Sequence, residues 1–359
     1  MVLEHKEKPL ISPGTTPSVE PFLAAFLICL ILTPAVIRFA TNRQLFDIPD
    51  DRKIHSVEIP RLGGVAIMGA LLISTLLIAG PETLIHLRYF LAGLLILFFV
   101  GLWDDMQPVS PFIKLLGESV PILLMTWYNR LPLHELAPGI EWIISIEWPC
   151  TLIVSFWIVN AFNLIDGING LAGSIGMIAL IGMGVMGVPD IYHLSFAFAG
   201  ALLAFLFFNF LKPKIFMGDC GSLPIGYTLA FGMTQLSFIH HCNNGILLPD
   251  EPLIALSLMI VPLLDMVRVF VIRIHKGKNP FRGDRNHLHH LLLETGLSHV
   301  GATLQLVGLS LLSTGITASL LSLCETRFQL VLIVVLVPLP AVVFIVRLWN
   351  NVRKIRKRA

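Results

Sequence analysis

Apolar stretches long enough to cross a bilayer alternate with short polar segments along most of the chain. They run over 21–40, 64–80, 86–103, 111–127, 143–161, 171–188, 193–211, 221–240, 252–273, 301–323 and 328–347. A helix needs roughly 17–25 mostly apolar residues to span the hydrocarbon layer, and only helices or closed barrels satisfy their backbone polar groups there. The pattern predicts an all-α integral membrane protein with about 11 transmembrane helices. Residues 1–20 read as a polar N-terminal tail, 21–347 as a polytopic transmembrane domain and 348–359 as a basic tail. The first run is too long for a signal-peptide core and has no charged region directly before it, so it is a retained span.

Composition agrees. Apolar residues make up 55% and charged residues 13%, with a mean hydropathy of +0.80, so lipid is the solvent for most of the surface. The net charge of +2 is less informative than its distribution. With an odd number of spans the termini lie on opposite sides. One side's loops with the adjoining span ends and the C-terminal tail hold eighteen Lys and Arg, and the other side holds five. The positive-inside rule makes the richer side cytoplasmic, with the N-terminus outside and the C-terminus inside. Five cysteines show no ligand spacing, so neither a zinc site nor a disulfide framework is indicated. Nothing points to a nucleic-acid partner; membrane lipid is the partner that composition implies.

Against that background the acids stand out. Asp104 and Asp105 end the apolar run 86–103, and Asp166 and Asp219 stand at the ends of later runs. Acids at that depth are costly and are usually tied to function. All four fall on the cytoplasmic side. Two adjacent carboxylates repel, and a hard divalent cation relieves the conflict, so Mg²⁺ or Mn²⁺ is the expected cofactor. Helix capping by Asp105 ahead of Pro108 is the plainer alternative. Asp219 follows a Gly-rich turn at a predicted helix start, where it is a cap, an anion site or a metal ligand. Asn160, Asn163, Asp166 and Asn169 recur every third residue and would form a slowly drifting polar stripe on a helix.

Three further groups supply cations. The first cytoplasmic loop offers Lys53, His55 and Arg61 ahead of Gly63 and Gly64, and Lys114 follows the di-acid. The last large loop reads Asn279-Pro-Phe-Arg-Gly-Asp-Arg-Asn-His-Leu-His-His290. On a helix, His287 and His290 would share a face, with Asp284 one turn before His287. With Arg282 and Arg285, this cluster suits a phosphate. Asp265 and Arg268, three residues apart in the preceding span, read as an internal ion pair.

At these residues the chain resembles the polyprenyl-phosphate N-acetylhexosamine-1-phosphate transferases, the WecA/MraY superfamily. The matching stretches are Lys53-Ile-His, Pro60 to Gly64, Asp104-Asp105, Asn160 to Leu171, Phe216 to Gly226 and Asp284 to His290. The His-Leu-His-His form is closer to the WecA branch. The resemblance implies transfer of a sugar-1-phosphate, GlcNAc-1-phosphate foremost, from a UDP-N-acetylhexosamine to undecaprenyl phosphate. UMP would be released as the first membrane step of a cell-envelope polysaccharide pathway. It also implies a bacterial inner-membrane location with the site on the cytoplasmic face, and is compatible with a homodimer. By position, the catalytic set would be Asp104, Asp105, Asp166, His287 and His290, with Asp104, Asp105 and Asp219 as metal ligands. Substrate contacts would come from Lys53, His55, Arg61, Lys114, Asn160, Asn163, Asn169, Arg282, Asp284, Arg285 and His289. Two positions depart from some members: Pro108 and Asn169 stand where those carry acids, and neither can act as a base. Single and double displacement stay open, as do a UDP-muramoyl-peptide donor and, in another class, an ion-coupled transporter.

Overall fold

The structure is a computed structural model and describes residues 19–47, 59–131, 143–186, 189–242, 251–279, 286–323 and 338–358. Within them the chain is nearly all helical. The helices are α1 (Glu20–Asn42), α2 (Gly63–Ile78), α3 (Pro81–Met106), α4 (Pro111–Tyr128), α5 (Ile143–Leu164), α6 (Leu171–Val185) and α7 (Pro189–Asn209). They continue as α8 (Asp219–Cys242), α9 (Glu251–Leu258), α10 (Ile260–His275), α11 (Leu288–Glu294), α12 (His299–Leu323) and α13 (Leu339–Arg358). One small departure from all-α is the antiparallel pair β1 (Phe46–Asp47) and β2 (Ile59–Pro60). Pro60 favours extended backbone at Ile59, which suits that pairing.

The bundle is built around α8. Every residue from Cys220 to Gln235 is buried, so over this stretch the helix has no lipid-facing side. A helix apolar all round belongs in the middle. It packs against α2, α3, α5, α6 and α9. Small residues permit that crowding. A Cβ at Gly64 would run into the backbone of Cys220 and Gly221, and one at Gly101 into that of Asp219 and Cys220. Side chains such as Leu27, Ile31, Ile153, Phe207 and Leu304 are more than half exposed on the outside of the bundle. Among the described residues, five helices are long and apolar enough to cross a membrane: 20–42, 81–106, 144–164, 191–209 and 299–321. This is a multi-pass membrane protein.

Several expected spans take a different form. The run 252–273 breaks at Met259 into α9 and α10, because the ring of Pro262 clashes with the carbonyl four residues before it, that of Leu258. Helices α2 and α6 have 16 and 15 residues, so at 1.5 Å per residue each is about 23 Å long, short of a ~30 Å hydrocarbon layer. Both lie largely inside the bundle, where neighbours rather than lipid meet their ends. Helix α13 continues unbroken to Arg358 and packs on α10, α11 and α12. The N-terminal tail lies almost wholly outside the described residues.

The approach of α3 to α8 gives a direct test. Gly101→Val forces a branched side chain into backbone, and overpacking of this kind costs about 1–3 kcal/mol or more. Its thermal midpoint in detergent should fall by several degrees. Gly308→Ala, where an added Cβ meets nothing within 4 Å, should leave the midpoint unchanged or slightly raised. Equal midpoints for the two variants would contradict the close approach.

Candidate active site

Three chain crossings meet at one end of α8. Segment 59–64 is joined to 215–217 by backbone hydrogen bonds: Phe216 N–H to the Pro60 carbonyl (2.8 Å), Gly63 N–H to Phe216 (2.9 Å) and Gly64 N–H to Met217 (2.8 Å). Gly218 then takes φ +73°, a left-handed turn that a side chain would strain, and α8 begins. Asp105, at the end of α3, accepts the N–H of Asp219 on Oδ1 and of Cys220 on Oδ2, both at 2.9 Å. The cap of α8 therefore comes from another helix. This leaves the Asp219 carboxylate free to face elsewhere, which resolves the alternative of Asp219 as the cap.

Asp219 faces Lys114. The Lys114 ammonium is hydrogen-bonded to Asp219 Oδ2 and lies 3.4 Å from Asp104 Oδ2 and 3.3 Å from Asn163 Oδ1. Asn163 donates to Asp219 Oδ1 (2.9 Å) and Ser222 Oγ (2.7 Å). Asp104 Oδ1 accepts the Val109 N–H at 2.7 Å, which fixes the carboxylate as the chain turns out of α3. One turn further along α4, buried Glu118 accepts from Asn160 Nδ2 at 2.8 Å. Glu118 and Ser222 were not foreseen. A lone acid inside the apolar run 111–127, four residues after Lys114, was the available signal.

The expected stripe from Asn160 to Asn169 is broken. Helix α5 stops at Leu164, and residues 165–170 form turns closed by Gly170 at φ +75°. Asn160 and Asn163 stay on the helix; Asp166 and Asn169 do not. Asp166 turns towards Gly218 and Arg61. Burial, reinforced by Asp219, pushes its carboxyl up to about 7, with Arg61 opposing. The backbone carbonyl of buried Asn169 instead accepts from Thr303 on α12 at 2.9 Å. Asn209, also unforeseen, holds this turn in place, accepting from Gly170 N–H (2.7 Å) and donating to the Ile215 carbonyl (2.8 Å).

The histidines form a second group. His287 has extended backbone (φ −63°, ψ 151°) just before α11, so His287 and His290 do not share a helical face as expected. The His287 and His289 rings stack with centroids 5.7 Å apart, and His289 and His290 lie 4.2 Å apart. His289 is buried, and burial together with its histidine neighbours holds it well below the usual imidazole range, hence neutral. A methyl at Gly167 would strike its ring, so α11 rests on the Asp166 turn. The expected Asp265–Arg268 ion pair is present at 2.7 Å. Lys53, His55, Arg282, Asp284 and Arg285 lie outside the described residues.

The profile of the family described as Glycosyl transferase family 4 matches residues 87–237, the stretch that carries Asp104, Lys114, Asn163, Asp166 and Asp219. The chain is 30% identical over 289 residues to the probable undecaprenyl-phosphate N-acetylglucosaminyl 1-phosphate transferase of Bacillus subtilis, covering 78% of each chain. It is 31% identical over 290 residues to the undecaprenyl-phosphate alpha-N-acetylglucosaminyl 1-phosphate transferase of Haemophilus influenzae, covering 77% of this chain and 78% of that one. The chain belongs to glycosyl transferase family 4. The protein of the same name from Escherichia coli K12 is 27% identical over 288 residues, covering 77% of this chain and 76% of that one. Membership of a transferase family sets the transporter reading aside.

The donor set can be tested against a divalent ion. Among the described residues no three His, Cys, Asp or Glu side chains converge on one point. Mg²⁺ does not need them, since it is commonly held by one or two carboxylates plus substrate phosphate and water. Asp104 and Asp219 already converge on one cation, the Lys114 ammonium, so these hard oxygens fit such an ion. Asp105 is less suited, with both oxygens committed to α8. If ion and ammonium share the carboxylates, Lys114→Met should bind Mn²⁺ more tightly than wild type. Its thermal midpoint should rise more on adding Mn²⁺; an equal or smaller rise would refute the sharing.

Proposed function

We propose that this family-4 chain transfers GlcNAc-1-phosphate from UDP-GlcNAc to undecaprenyl phosphate, releasing UMP, as the first membrane step of a cell-envelope polysaccharide pathway. In this reading it sits in a bacterial plasma membrane with eleven spans, an outer N-terminus and a cytoplasmic C-terminus. Residues 21–347 form one catalytic unit, whose site opens to the cytoplasm. The observation that carries the proposal is the Lys114 ammonium enclosed by Asp104, Asp219 and Asn163 at the end of the buried helix α8. Relatives named for this transfer, similar over three-quarters of the chain, favour GlcNAc as the sugar.

An oxygen of the lipid phosphate attacks the phosphorus that bears the sugar. The bond from that phosphorus to the bridging oxygen breaks, and UMP leaves with the electron pair. A phosphate monoester has a second pKa of about 6, so at neutral pH most of the acceptor brings its own anionic nucleophile. Asp166, near 7, takes the proton from the remainder. Two anions must meet, and cations allow it. Lys114 and Arg61 stand at the site, and Lys53, Arg282 and Arg285 belong to loops that adjoin it in sequence. A divalent ion held by Asp104 and Asp219 would supply neutralisation of the charge developing on the leaving group. Asn163 keeps Asp219 aligned, and Ser222 fixes Asn163. Both oxygens of Asp104 and of Asp105 are already engaged, which favours direct attack over a phospho-enzyme.

Purified protein, undecaprenyl phosphate and a panel of UDP-sugars, including UDP-muramoyl-peptide, test the proposal. UMP should appear with UDP-GlcNAc and Mg²⁺ and cease when a chelator is added. Release without metal, or none with any donor, would overturn it.

A further inference from the structure

Asp265 ties the histidine motif to the bundle. Asp265 on α10 is buried, and its carboxylate gathers four nitrogens from three residues. Arg268 donates to Oδ1 through Nε (3.1 Å) and Nη2 (2.7 Å). The Leu288 N–H, the first of α11, lies 3.2 Å from both oxygens. His287 Nδ1 lies 2.9 Å from Oδ2. Arg268 Nη2 also donates to the Asn286 carbonyl. Three successive residues, Asn286, His287 and Leu288, are thus held by one acid and its arginine at the start of α11.

The chemistry of that grouping is specific. Arg268 already balances the charge of Asp265, so packing alone would not require an imidazole beside the pair. A carboxylate only accepts hydrogen bonds, so Nδ1 of His287 must carry the proton. In the neutral ring the lone pair is then on Nε2, which has no hydrogen-bond partner among the described residues. A carboxylate that fixes the tautomer and orientation of an imidazole, leaving its far nitrogen for chemistry, is the arrangement expected of an acid–base or phosphate-contacting histidine. The Leu288 contact adds orientation, because a negative charge at the N-terminus of α11 sets where that short helix begins. The same helix puts His289 against Gly167, next to Asp166.

We propose that Asp265 is a positioning residue for the transfer: it fixes His287 as the Nδ1–H tautomer and anchors α11, so that Nε2 of His287 meets the donor's phosphates. This rests on the reading of the histidine motif as part of the transferase site. Arg268 keeps the acid ionised and ties it to the Asn286 carbonyl. Asp265 itself touches no substrate.

A double-mutant cycle read by UMP release tests this in the full-length protein. Asp265→Asn should lower kcat by about tenfold or more, with a smaller change in KM, and so should His287→Gln. The double variant should be no worse than the poorer single one, because the acid acts through the imidazole. Additive losses, or an Asp265→Asn variant with wild-type kcat, would overturn the proposal. Should Asp265→Asn fail to fold, ¹⁵N-histidine NMR of the wild-type protein keeps the question open to test. The resonances missing from His287→Gln identify the ring, and they should report a proton on Nδ1 and none on Nε2 in the neutral form. The opposite tautomer would overturn the proposal. Failure of the transferase reading would look different, since wild-type protein would then release no UMP with any donor while the tautomer result stood.

Discussion

The site depends on one carboxylate meeting the end of one helix. Asp105 accepts the first two N–H groups of α8, those of Asp219 and Cys220. Hydrogen bonds to a charged acceptor contribute about 1.5–3 kcal/mol each, and an anion at a partly buried helix N-terminus adds up to ~2 kcal/mol. Those terms oppose the cost of keeping a carboxylate away from water. They also join the end of α3 to the start of α8, which a Cβ at Gly101 would force apart. Because the cap comes from α3, Asp219 has no capping duty and turns to Lys114 and Asn163. Two adjacent acids thereby take separate parts. Asp105 holds the scaffold, while Asp104 joins Asp219 around a cation.

The bundle supports that arrangement by burying its central helix from Cys220 to Gln235. Around that buried stretch neighbours must come close, and glycines on α2 and α3 let them. Once the first turn of α8 is fixed, the segments 59–64, 165–170 and 215–218 are positioned by backbone hydrogen bonds and by Asn209. Asp104, Lys114, Asn163 and Asp219 gather at one end of α8. The histidine motif arrives from the far end of the sequence and is secured separately, through Asp265.

Much of this was legible in the chain, for physical reasons. Asp104, Asp105 and Asp219 stood out because charge at the edge of a hydrocarbon layer is costly, and topology alone placed them on one side. Parity and the distribution of Lys and Arg predicted that these segments share a face. The Asp265–Arg268 pair followed from helical spacing, but its third partner, His287, did not, since nothing local ties residues twenty-two apart. A three-residue repeat was misleading at Asp166 and Asn169, where glycines end α5 and send the two side chains different ways. Pro262 was visible, and its effect on Leu258 could have been anticipated. The division of labour between Asp104 and Asp105 was not readable, because two neighbours in sequence differ here only in which helix end each one meets.

Amide hydrogen exchange across residues 216–223 is the most direct measure of the capping claim. In Asp105→Asn, exchange at the start of α8 should accelerate markedly while the rest of that helix keeps its wild-type protection. Unchanged protection there, in a variant that has lost turnover, would contradict the account and make Asp105 a ligand rather than the anchor of α8.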